Sequence, residues 1–193
     1  MGLLQPDSGS VAIHGQLVSQ NLRTTKAIVG YIPDDEGWFI KELTAREYIA
    51  LLAEVYAQAG VTHDTQTQAK MLARSLYFTA FDTQLQHLSH GNKKKVQLIA
   101  GLMHSPQIII IDELRNGLDP LAIMAAEQLL QQEAKRGACI IAATHDLWWA
   151  ERIASTILLL IDGTIAVQDS KRRIVKEYGS VEQLFISTVQ LAS

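Results

Sequence analysis

Four consecutive isoleucines, Ile108–Ile111, run straight into Asp112 and Glu113. A β-branched run with no polar alternation fits a parallel strand covered on both faces, and a parallel strand requires crossover connections through helices. The residues that follow supply them. Asp119 and Pro120 combine an N-cap with a first-turn proline, and the helix they open is expected to end at Gly137. Cys139–Ala143 reads as a second buried strand, with Cys139 as a buried hydrophobe. A helix around Trp148 to Ala154 comes next, then Ile157 to Ile161, the turn Asp162-Gly163 and Thr164 to Val167, a hairpin of the Asp-Gly kind. Strand and helix alternate, so the expected fold is α/β with a mostly parallel sheet.

The first half has a different texture. Val11-Ala-Ile13 leading to His14-Gly15 is a short hairpin signal, and residues 28–32 form a strand stopped by Pro33, which leaves Asp34 in the loop beyond. Thr44-Ala-Arg-Glu47 is a capping box, and Tyr48, Leu51, Leu52, Val55 and Tyr56 follow with helical spacing up to Gly60. Ala69, Leu72, Ala73 and Leu76 continue the helical pattern, and Val96, Ile99, Ala100 and Met103 mark another helix behind Leu88-Ser89-His90-Gly91-Asn92. Residues from about 40 to 104 therefore read as a helical insertion within one domain covering 1–193.

Composition narrows the classes. With 193 residues and 48% hydrophobic content the chain can bury one substantial core. A formal charge of −3 gives no general attraction to nucleic acid or anionic lipid. A single cysteine excludes an internal disulfide framework and suits a reducing compartment. There is no signal-peptide pattern and no uncharged stretch of membrane-spanning length, so membrane association is expected to come through a partner.

Acidic residues at the C-terminal end of a parallel strand stand where open α/β sheets bind ligands. Asp112 can hold Mg²⁺ there, directly or through water, and Glu113 can take a proton from an attacking water. The plainer alternative, a strand end that caps a turn, is outweighed by the isoleucine run before the pair and the Gly117-Leu118-Asp119-Pro120 sequel. His145 ends the next strand, on the same sheet edge, where a neutral imidazole can bond a phosphate or the attacking water. Ser89 and Gly91 place a hydroxyl and an unobstructed amide at a helix N-terminus, a ready anion site whose plainer reading is an ordinary N-cap. Lys93, Lys94 and Lys95 read as a solvated helix face.

Taken in order, these motifs resemble the nucleotide-binding subunit of an ATP-binding cassette (ABC) transporter, over almost the whole chain. Leu88–Asn92 resembles the Leu-Ser-Gly-Gly-Gln signature, Ile108–Glu113 the Walker B strand, Gly117–Asp119 the D-loop and His145 the switch histidine, while Val29–Asp34 resembles the approach to the Q-loop. Ser180–Phe185 is similar to the tails of exporter-type members. The resemblance implies a P-loop NTPase-type fold and ATP and Mg²⁺ as cofactors. Glu113 and His145 are then catalytic, Asp112 and Asp34 lie on the metal side, and Ser89, Gly91, Asn92 and Asp119 are nucleotide-binding. Its implied partners are a transmembrane permease subunit and a second cassette, not nucleic acid, with the chain cytoplasmic and peripheral on the inner face of the membrane.

The departures are equally specific. Asp34 stands where the family has glutamine, His90 and Asn92 replace signature residues, and Leu114 replaces the proline after the Walker B glutamate. No G-x-x-x-x-G-K-[ST] loop occurs anywhere, so the backbone amides and lysine that cradle phosphates are missing and the domain reads as N-terminally truncated. Two readings follow: an ATP-hydrolysing exporter subunit whose chain alone is inactive, or a degenerate cassette that serves as a partner-binding module.

Overall fold

The computed structural model describes residues 6–18, 22–35, 37 and 39–192, so Gly2–Gln5 of the opening turn-rich segment lie outside the described residues. The chain divides into two compact units, Met1–Ala143 and Thr144–Ser193.

The first unit opens with the expected hairpin, β1 (Ala12–Ile13) against β2 (Gln16–Leu17), turned by His14 and Gly15, both at positive φ. Helix α1 (Leu22–Ile28) runs directly into β3 (Val29–Ile32). Helix α1 carries no helical signature in sequence, because Leu-Arg-Thr-Thr-Lys-Ala-Ile has no apolar 3.6-residue repeat and no break before the strand. Three helices follow between residues 40 and 104: α2 (Ala45–Gln58), α3 (Thr65–Ser75) and α4 (His90–Leu102). The Thr44/Glu47 capping box of α2 is present in both directions. Asp64 caps α3 and Ser89 caps α4, each accepting a backbone N–H three residues on.

Strand β4 (Ile108–Asp112), helix α5 (Pro120–Lys135) and strand β5 (Cys139–Ala143) complete this unit. Asp119 caps α5, and Gly137 lies just past its end at φ +97°. The sheet is parallel in the order β3-β4-β5, with Ile32 opposite Ile111 and Asp112 opposite Ala143. Its C-terminal edge therefore carries Pro33-Asp34 after β3 and Asp112-Glu113 at the end of β4.

Helix α4 lies against β3 at a distance only glycine permits, since a β-carbon on Gly30 would overlap the Gly101 carbonyl oxygen. Two burial expectations are corrected. β4 is packed on one face, Ile109 and Ile111, and only half covered on the other, Ile108 and Ile110. β5 is largely exposed, Ile141 to 56%, and Cys139 is exposed rather than a buried hydrophobe. An unbroken apolar run anticipates neighbours on both sides, whereas β5 pairs only with β4 among the described residues.

The second unit contains α6 (Leu147–Ile153), the antiparallel strands β6 (Thr156–Ile161) and β7 (Thr164–Ser170), α7 (Lys171–Tyr178) and α8 (Val181–Ala192). Asp162 and Gly163 both sit at positive φ, as a two-residue hairpin turn of this hand requires. Ile157 and Leu159 of β6 pack with Ile174, Val181 and Leu184 in a small core. Helix α7 was not foreseen, because Ile174 is its single buried residue in a strongly basic run. No helix among the described residues is long and apolar enough to cross a membrane.

Candidate functional site

The sheet edge of the first unit is organised around a lysine. Lys94 is the fifth residue of α4 and is 1% exposed. Its Nζ donates to the carbonyls of Pro33 (2.8 Å) and Asp112 (3.0 Å) and lies 3.8 Å from Asp34 Oδ1. Burial pushes its ammonium below the ordinary lysine value, against the pull of Asp34, Asp112 and Glu113. Asp34 thus meets this cation with its carboxylate and Asp112 with its backbone carbonyl, and Glu113 follows Asp112 in the chain. The solvated-face expectation for the lysine run is corrected as well. Lys94 is buried, and Lys95, 8% exposed, reaches within 3.7 Å of Asp119 Oδ2. Successive helical residues point about 100° apart, so three adjacent lysines cannot share one face.

Asp34 has a second partner, the Asn116 side-chain amide at 3.1 Å, and Gln97 donates to the carbonyl of Asp35 at 2.8 Å. Asn116, Gln97 and Lys94 were all missed as site residues, since a lone amide or lysine carries no signal until the fold brings it to a strand end.

Glu113 adopts φ +45°, a conformation seldom taken by a residue with a β-carbon, and its N–H donates to Ala143 O at 3.0 Å. That hydrogen bond extends the β4–β5 ladder one residue past the strand while the chain turns away. Leu114, in the family's proline position, is 1% exposed and anchors the turn by burial.

Ser89 is exposed, and its Oγ accepts the Asn92 N–H at 3.3 Å, so the hydroxyl serves as an N-cap. Gly91 faces the loop between Glu113 and Asp119: a β-carbon there would lie 2.6 Å from Gly117 O. Gly117 has φ +77°, and a β-carbon on it would fall into the His90 ring, 2.5 Å from Nε2. The helix start bearing the signature-like residues and the loop leading to Asp119 are therefore in direct contact. Gly117→Ala is expected to lower unfolding free energy by about 1–2 kcal/mol through the left-handed backbone alone, read by urea denaturation. His90→Ala in that background should recover only the steric remainder. A Gly117→Ala protein as stable as its parent would show that this loop is not held in the conformation described.

Asp119 Oδ1 accepts the Ala122 N–H at 2.9 Å; that bond first, then nearby Lys95, keeps its carboxyl below the usual range. His145 is exposed in the second unit, two residues beyond Ala143. Its turn is fixed locally, since Asp146 N–H donates to Thr144 Oγ1 at 3.1 Å and Asp146 Oδ1 accepts from Trp149 N–H at 2.9 Å.

Among the described residues no three or more histidines, cysteines, aspartates or glutamates group as a metal cage. The donor set at the edge, Asp112 and Asp34, fits a hard cation that keeps most of its ligands as water and phosphate oxygens, the usual habit of Mg²⁺.

The profile of the family described as ABC transporter matches residues 1–116 of the chain. The ABC-type transporter ATP-binding protein EcsA of Bacillus subtilis (strain 168) is 28% identical over 184 residues, 93% of this chain and 72% of EcsA. Other relatives are longer, and the chain spans between 19% and 65% of their length. Among solved structures, an ATP binding subunit of an ABC transporter superposes with a TM-score of 0.88 at 28% identity, covering 97% of this chain and 79% of that one. The dimeric ATP-binding cassette MJ0796, solved in a post-hydrolysis state with ADP and Pi, shares the fold with a TM-score of 0.75 at 23% identity, covering 88% and 76%. The P-loop NTPase-type α/β fold read from the sequence is thus found, and the chain belongs to the ABC transporter family, among its ATP-binding subunits.

Proposed function

We propose that the chain is the catalytic part of an ATP-hydrolysing cassette that energises an exporter, and that residues 1–193 form one such domain with a helical subdomain at about 40–104. The observation that carries this reading is buried Lys94, bonded to the carbonyls of Pro33 and Asp112 and 3.8 Å from Asp34, at the C-terminal edge of a parallel sheet where Asp112 is followed by Glu113. Phosphoryl transfer asks a protein chiefly for positioning and charge neutralisation, and this edge offers both. Asp112 and Asp34 would hold Mg²⁺, which supplies neutralisation of phosphate charge when bound. Glu113 accepts the proton of the attacking water, and His145 bonds the γ-phosphate. Ser89, Gly91 and Asn92 present α4's N-terminus, and Asp119 the following loop, to nucleotide held by a second cassette.

A transmembrane permease subunit is the second partner, and through it the chain is placed at the cytoplasmic face of the membrane. The exporter direction rests on the likeness of Ser180–Phe185 to exporter-type tails. A non-hydrolytic, partner-binding cassette is less well supported, because a module freed from catalysis has no use for a glutamate held at positive φ beside an aspartate.

The chain of 193 residues alone is expected to bind Mg-ATP weakly and not to turn it over. Each missing charge-assisted hydrogen bond to phosphate is worth roughly 1.5–3 kcal/mol. Nucleotide titration with a phosphate-release assay, on this chain and on the cassette completed with a phosphate-binding loop, tests the assignment. Hydrolysis by the completed form supports it, and binding without hydrolysis there would favour the partner-binding module.

A further inference from the structure

Lys94 has not been given a role by its motif, yet it is buried and bonded to two backbone carbonyls at this edge. An ammonium has three donors. Two are spent on the carbonyls of Pro33 and Asp112, at the C-terminal ends of β3 and β4, and the third side of the ammonium faces Asp34 at 3.8 Å. These carbonyls stand where the parallel ladder runs out, so a donor from outside the sheet is required to satisfy them. Asn116 closes the arrangement from the turn after β4 by holding Asp34 Oδ1.

We propose that Lys94 is a positioning residue that pins the loop carrying Asp34 to the turn carrying Asp112 and Glu113, fixing the spacing of the three carboxylates. Its use in catalysis rests on the functional reading above, whereas the pinning itself does not. Lys93 and Lys95 cannot substitute: Lys93 is partly exposed, and Lys95 is directed to Asp119. The arrangement also accounts for aspartate at position 34. A carboxylate beside a buried ammonium balances its charge, which a glutamine there would not.

The test is amide hydrogen exchange on the full chain without nucleotide, comparing Lys94→Met, which keeps the aliphatic volume, with the parent. Exchange is expected to quicken at least tenfold at Glu113 and Asn116, whose N–H groups bond Ala143 O and Glu113 O. It should stay within twofold at Ile109 and Ile111 in β4. Lys94→Gln, which retains an amide donor, should fall between, and serves if the methionine variant does not fold. Uniform acceleration across β4 and the turn, or none at all, would overturn the proposal by making Lys94 a general contributor to stability or an idle one. In the cassette completed with a phosphate-binding loop, Lys94→Gln should lower kcat at least tenfold with KM for Mg-ATP changed less than threefold. An equal loss in both parents and variants of any hydrolysis would sink the functional reading and leave the exchange result standing; an unchanged kcat in an active parent would overturn the catalytic use of the pin.

Discussion

Glu113→Gln is expected to lower ATP turnover by roughly 10²–10⁴-fold, the usual contribution of a general base, in a cassette completed with a phosphate-binding loop. Nucleotide affinity should change less than threefold. The substitution preserves shape and volume and removes only the ability to take a proton. The backbone favours this role for Glu113 over its neighbour. Asp112 closes the strand, with its carbonyl bonded to Lys94, whereas Glu113 has turned to positive φ at the point where the chain leaves the strand. Steady-state turnover alongside equilibrium nucleotide binding separates the two steps. Unchanged turnover would move the base elsewhere, and a parallel loss of binding would make Glu113 a nucleotide ligand rather than a base.

Acidification is expected to destabilise the first unit through His104. His104 is 2% exposed, stacks on Tyr56 with ring centroids 4.0 Å apart, and donates from Nε2 to Val29 O at 3.2 Å. Its Nδ1 has no hydrogen-bond partner among the described atoms. Burial is the main cause that pushes its pKa down from 6.5 to about 4, with His63 adding to the fall and the Val29 bond opposing it.

Between those values the unfolded chain carries a proton that the folded chain refuses. Stability from this group is therefore complete above pH 6.5, falls as pH drops through the window, and is lost by about pH 4. The integrated loss is on the order of 3 kcal/mol. Glu47, Asp64, Asp82 and Asp119 are held below the usual carboxylate range, so their contributions disappear only at lower pH. His104→Phe keeps the stack on Tyr56 and should flatten the pH dependence of urea midpoints between 6.5 and 4.5. A parent whose midpoint does not fall over that window would show that His104 accepts a proton without leaving its site.

Local signals were legible in the sequence wherever the causing residues are neighbours along the chain. The capping box at Thr44, the caps at Ser89 and Asp119, the Asp162-Gly163 hairpin and the Ile108–Ile111 strand all depend on contacts within a few residues. The strand ends at Asp34 and at Asp112-Glu113 were likewise legible, because parallel strands share the end at which their chains emerge. What the sequence could not disclose was the content of that edge. Lys94 meets Pro33 across 61 residues and Asn116 meets Asp34 across 82, so a lysine run read as solvent-facing became a buried bridge only when α4 was laid against β3. Cys139 was misread for the complementary reason: an apolar strand declares what it can bury, and only the packed neighbours decide whether it does. Tertiary structure decided both cases, since burial and the partners of a polar atom are properties of what surrounds a residue in space rather than of the residue itself.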